Sequence, residues 1–196
     1  SFVAVGNNGT VITSPDGKKW TKRNSRTKTS LYGVTFGYES FAAVGNGGSI
    51  ITSADGKKWT KRKSGTSIEF NEVIFANDSF MAFGFKGVIR TSTNGNSWTK
   101  IKSGTRMGLL GATHGNNTLI AVGNSGNITT SSDGKKWTKK KVGTKNHLRG
   151  VTYGDGKFVL VGNSGTILTS KESTTWTKIK SGTSRHLRRV FFTNLN

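Results

Sequence analysis

Arginine, lysine and histidine gather in three short stretches of this 196-residue sequence, and anion recognition is the chemistry they could perform. Lys145, His147 and Arg149 form one stretch. Arg185, His186, Arg188 and Arg189 form a second, and Arg26 with Lys28 marks a third. A guanidinium offers a planar fork that fits carboxylate, phosphate or sulfate with two parallel hydrogen bonds, which a lysine ammonium cannot do. These nine side chains are the candidate ligand-binding set. Other chemistries find less support. His147 and His186 lie 39 residues apart, but two imidazoles without a carboxylate or thiolate make a poor metal set. The absence of cysteine excludes thiol and disulfide chemistry. Only nine Asp and Glu are present, with no retained acid pair of the kind glycoside cleavage requires. No catalytic residue, metal or cofactor is expected.

The elements that must carry these residues are set by a repeat. Five tryptophans, Trp20, Trp59, Trp98, Trp137 and Trp176, are each 39 residues apart. Their surroundings agree: Ser14-Pro15-Asp16-Gly17-Lys18-Lys19-Trp20 matches the runs ending at Trp59 and Trp137, which carry Asp55 and Asp133. Asn94 stands for Asp before Trp98, and Glu172-Ser173 replaces Asp-Gly before Trp176. The periods 1–39, 40–78, 79–117, 118–156 and 157–195 fill the chain as one expected domain. Each period holds four short strand signals divided by Gly, Asn, Asp and Ser turns. In the second they are Phe41 to Val44, Ser49 to Thr52, Trp59 to Arg62 and Phe70 to Phe75.

A four-stranded antiparallel unit repeated around an axis is a propeller blade. The expected fold is therefore all-β, a five-bladed propeller. Leu31-type segments are the innermost strand A, and the charged Trp-Thr-Lys-Arg segments are the outermost strand D. The chain opens on strand B, so the A-type segment at 187–192 is expected to pair with residues 2–5 and close the ring. In the Ser-x-Asp-Gly-x-x-Trp motif, Asp is expected to hold backbone N–H groups, Gly to supply the turn, and Trp to pack between blades.

That motif resembles the Asp-box of bacterial sialidase-type repeats. The whole period, with its Val-Gly-Asn-x-Gly-Thr and Ser-Gly-Thr segments, is similar to the repeats of photosystem II assembly factors and of bacterial surface propellers. The resemblance implies a propeller, and through the assembly factors a protein scaffold. A sialidase would need a Tyr nucleophile with acidic partners. Tyr32, Tyr38 and Tyr153 fall on A strands or an A–B turn, and no such set is evident.

Thirty Lys and Arg give a net charge of +21, which argues for polyanionic partners. Nineteen of the thirty fall on C–D turns and outer strands, where lysine discourages edge-to-edge aggregation. The nine candidates instead fall in consecutive D–A connectors, on the face opposite the Asp-box turns. The leading expectation is a non-catalytic module binding an acidic glycan or cell-wall polyanion, or an acidic protein surface, through this basic arc. A protein-assembly scaffold is the alternative, and a fragment or engineered propeller without its own activity is another. Nucleic acid is permitted by charge but not favoured, because aromatics are not interleaved with the basic stretches. No apolar run is long enough for a membrane helix. A monomer at a bacterial cell surface or outside the cell is expected.

Overall fold

Short β-rich runs separated by tight turns make antiparallel meanders, and the computed structural model, which describes residues 1–194, contains five of them. The first sheet has three strands, β1 (Phe2–Val5), β2 (Val11–Ser14) and β3 (Thr21–Arg23). Four sheets of four strands follow. They are β4–β7 (Leu31–Gly37, Ser40–Gly45, Ile50–Ser53, Thr60–Arg62) and β8–β11 (Phe70–Ala76, Ser79–Gly84, Ile89–Ser92, Thr99–Ile101). Then come β12–β15 (Leu109–Gly115, Thr118–Gly123, Ile128–Ser131, Thr138–Lys140) and β16–β19 (Leu148–Gly154, Lys157–Gly162, Ile167–Ser170, Thr177–Ile179). This is an all-β propeller fold with five blade sheets. The expected strand limits hold to within about one residue.

The blades gather in two compact units. One holds Ser1–Gly84 with Ile89–Ile101, and so the first three sheets; the other holds Phe85–Val88 with the chain from Lys102 onward. In the first unit Val11, Leu31, Ala43, Ile51 and Trp59 form one apolar cluster from two successive blades. In the second, Ile120, Val122, Leu148, Phe158 and Leu160 do the same. Strands β6 and β14 are buried at all four positions, as sheets covered on both faces require.

Glycine sets how closely the inner strands approach. A Cβ at Gly37 would lie 2.0 Å from the Phe75 ring, and one at Gly154 would lie 2.0 Å from that of Phe192. Only a bare backbone lets the next aromatic ring sit there.

The terminal segment departs from expectation. Residues 187–194 form no strand, and β1 pairs with β2 alone among the described residues. The segment nevertheless occupies the place of a next inner strand. Leu187 N–H donates to Gly162 O at 3.0 Å, as Leu31 N–H does to Gly6 O. The backbone of Arg188 and Arg189 lies about 3.1 Å from a Cβ built on Gly150. Stacking on the preceding blade holds it, and that contact does not require pairing across the other edge.

The tryptophans are not equivalent either. Trp59 is 1% exposed and Trp137 is buried, whereas Trp98 and Trp176 are half-buried and Trp20 is 43% exposed. Trp59 clusters with Val11 of the blade before it.

Candidate functional site

The cationic connectors are held by the hydroxyls and amides of the loop itself and by the B–C turns beside them. In the second unit, Asn146 N–H donates to Thr144 Oγ1 at 3.1 Å, and Asn146 Nδ2 reaches Thr166 Oγ1 at 2.8 Å. The following connector repeats the first of these bonds, Arg185 N–H to Thr183 Oγ1 at 3.1 Å. The B–C turns are single 3-10 turns, Asn124–Gly126 and Asn163–Gly165, whose middle serines are left-handed at φ 55° and 53°. Gly126 N–H donates to Asn146 O, and Gly165 N–H to Arg185 O.

The two histidines brace these same turns. Ser125 N–H donates to His147 Nδ1 at 3.0 Å, and Ser164 N–H to His186 Nδ1 at 3.1 Å. In both bonds the imidazole Nδ1 is the acceptor. The ring nitrogen that faces the protein is thus committed to the fold. Among the described residues no three His, Cys, Asp or Glu cluster as a metal site.

Arg149 is half-buried and its Nε donates to Asn163 Oδ1 at 2.5 Å. Asn163 lies next to Ser164, which holds His186. One turn therefore ties the Arg149 stretch to the Arg185 stretch within this unit. Lys145, Arg185, Arg188 and Arg189 are exposed around it, as is His186. Arg149 thus shapes the loops as well as charging them, and His147 braces them. Arg26 and Lys28 lie in the other unit, both exposed. Arg26 sits at φ 57°, where the other four repeats place Gly65, Gly104, Gly143 and Gly182, and its N–H is held by Asn24 Oδ1 at 2.9 Å. A bulky side chain in the left-handed region is uncommon and costs energy.

The Asp-box residues act on the C–D turns. Asp55 Oδ1 accepts from Lys57 and Lys58 N–H at 2.8 Å each and from Ser53 Oγ at 3.1 Å. Asp16 and Asp133 do likewise, and Asn94 makes the same two backbone bonds with its amide oxygen. The backbone N–H of Lys58 above all, with that of Lys57, holds the Asp55 carboxyl at about 2. That of Lys136 does the same for Asp133. The indole N–H of Trp20, Trp59, Trp98 and Trp137 closes each turn on the carbonyl three residues back. Where Glu172-Ser173 replaces Asp-Gly, Trp176 Nε1 is buried without a partner among the described residues.

Residues 40–148, more than half of the chain, match the DUF6242 beta propeller domain. The chain belongs to that family. No curated protein matches this DUF6242 propeller sequence. Two solved structures share the fold. One, described as YCF48 bound to D1 peptide, is 18% identical at a TM-score of 0.70, over 91% of this chain and 63% of that one. The other, YCF48 from Cyanidioschyzon merolae, is 20% identical at 0.62, over 83% of this chain and 59% of that one. This DUF6242 chain thus spans less than two thirds of either. The resemblance to photosystem II assembly-factor repeats holds at the level of fold.

One cation of this DUF6242 propeller escaped the sequence reading. Arg90, on β10, is 5% exposed. Its Nε donates to Ser64 O at 2.6 Å, its Nη2 to Gly65 O at 3.0 Å and its Nη1 to Ile89 O at 3.1 Å. Burial lowers its affinity for the proton below that of a free guanidinium. The available signal was the repeat itself: Ile12, Ile51, Thr129 and Leu168 occupy the same place in the other blades.

Proposed function

We propose that the chain is a non-catalytic scaffold that seats an acidic segment of a partner protein on the cationic D–A connectors of its second unit. The observation that carries this is the cross-bracing at Asn163–Gly165. Arg149 and His186 grip that turn from two successive connectors, so Lys145, Arg185 and Arg188 project from a loop pair already held in place. A preorganised cationic surface loses little freedom on binding, which favours affinity. The fold likeness to a YCF48 structure that holds a peptide supports a protein partner. It moves the scaffold reading ahead of the acidic-glycan reading, which rests on the net charge and the basic connectors.

The test is a binding panel of acidic peptides and acidic polysaccharides at low and high salt. The double reversal Arg185→Glu/Arg188→Glu is compared with Lys57→Glu/Lys136→Glu on the Asp-box turns. Peptide affinity should fall about tenfold or more for the connector pair and little for the turn pair, since isolated exposed charges contribute little. Equal losses for both pairs, or binding of polysaccharides alone, would sink the proposal.

A further inference from the structure

Blade four carries a groove unlike its counterpart in blade two. It encloses about 390 Å³ and is bounded by Met107, residues 125–127 and residues 139–145, all within the second unit. The matching groove in the first unit lies two repeats earlier, at Thr29, residues 46–50 and residues 61–66. Both have a cationic outer wall, Lys139, Lys140 and Lys141 in one and Lys61, Arg62 and Lys63 in the other. Their inner walls differ. Met107, 43% exposed, stands where blade two has Thr29. Val142 stands where the other four repeats have Ser25, Ser64, Ser103 and Ser181. Each of those serines donates its hydroxyl to a carbonyl two residues on. Val142 cannot, and leaves an apolar wall instead.

A second observation marks the same groove. Asn127 lines it and is 2% exposed. Its Oδ1 accepts from Thr105 Oγ1 at 2.9 Å, but its Nδ2 has no partner among the described residues. A buried amide donor left open is destabilising, and a carbonyl or carboxylate oxygen brought into the groove would relieve that. Blade two has Ser49 at this position.

From these features we infer that the groove of blade four docks an extended peptide segment in which carboxylates flank an aliphatic side chain. The aliphatic group packs on Met107 and Val142. The carboxylates meet Lys139, Lys141 and Lys145, all exposed and without an ion pair among the described residues. A backbone oxygen of the peptide takes up Asn127 Nδ2. This rests on the reading above that the chain binds an acidic segment of a protein, and adds a specificity pocket to it. Charge alone would not distinguish blade four from blade two; the apolar wall and the open amide do.

The experiment uses the 196-residue chain and two labelled, end-capped peptides, Asp-Leu-Glu-Asp-Leu-Glu and the same with Ser for Leu, followed by fluorescence anisotropy. The Leu peptide should bind at least tenfold tighter. Met107→Thr/Val142→Ser, residues that blade two carries at these places, should remove that preference with the melting temperature checked alongside. Asn127→Ser should weaken the Leu peptide severalfold, and Lys61→Glu/Lys63→Glu should not. If Met107→Thr/Val142→Ser fails to fold, Lys139→Glu/Lys141→Glu replaces it, with a tenfold loss expected. Equal binding of both peptides, still lost on Arg185→Glu/Arg188→Glu, overturns the groove and leaves the connector site standing. No binding of either peptide overturns both.

Discussion

Removing the Arg90 guanidinium tests how a propeller of this sequence satisfies a buried connector. Arg90→Ala deletes the bonds to Ser64 O and Gly65 O. Ser64 is 4% exposed, so its carbonyl loses its partner away from water, while Gly65 is exposed and can rehydrate. One stranded buried carbonyl costs about 1–3 kcal/mol. The two further methylenes of the arginine stem add about 0.8 kcal/mol each. Relief of the buried charge offsets part of this. A net loss of about 2–4 kcal/mol is expected. Blade four shows a smaller solution: Thr129 Oγ1 donates to Ser103 O at 2.8 Å, the same carbonyl one repeat on. Arg90→Thr should therefore recover about 1–2 kcal/mol of the loss by the same bond. Urea denaturation followed by tryptophan fluorescence and by circular dichroism measures both. If Arg90→Ala lies within about 0.5 kcal/mol of the parent, the noise level of an ordinary surface change, or Arg90→Thr is no better than Arg90→Ala, the reasoning fails.

Two further outcomes follow from the turns. Asp55 and Asp133 titrate at about 2 in the folded chain against an ordinary 3.8. Their contribution is complete above 3.8 and is lost as pH falls toward 2, because the unfolded chain takes up those protons first. Asp55→Asn/Asp133→Asn should flatten that part of the melting-temperature profile while keeping the turns, as Asn94 does; a variant that follows the parent between pH 4 and 2 would refute this. Arg26→Gly should raise stability by about 1 kcal/mol by relieving the left-handed backbone. A lower melting temperature would mean that Arg26 makes a compensating contact.

The repeat made the blades legible because strand, turn and cap signals are local. Period-39 tryptophans and Asp-Gly turns specify where the chain reverses, whatever surrounds it. The basic connectors were legible for the same reason, as runs of one residue class at the same place in three of the five periods. The part played by His147 and His186 was not. Their spacing marked them as neighbours on one face, but only the fold brings Ser125 and Ser164 N–H groups, 22 residues away in sequence, onto their Nδ1 atoms.

The sequence by itself determined the strand order within each blade, the capped turns between strands and the surplus of cations, since these depend on residues within a few positions of one another. Tertiary structure decided what equivalent residues become. Trp20 and Trp59 share a motif, yet one is 43% exposed and the other 1%, because burial depends on what packs over the indole, for Trp59 a cluster that includes Val11 of the blade before it, and not on the motif. Residues 187–192 match an inner strand in sequence, yet among the described residues they form no strand and lie against β16, because strand formation needs a partner edge that no local pattern supplies. Val142 and Asn127 look like minor departures from a repeat. Only the packing of two connectors around one turn makes them the wall and the open donor of a groove.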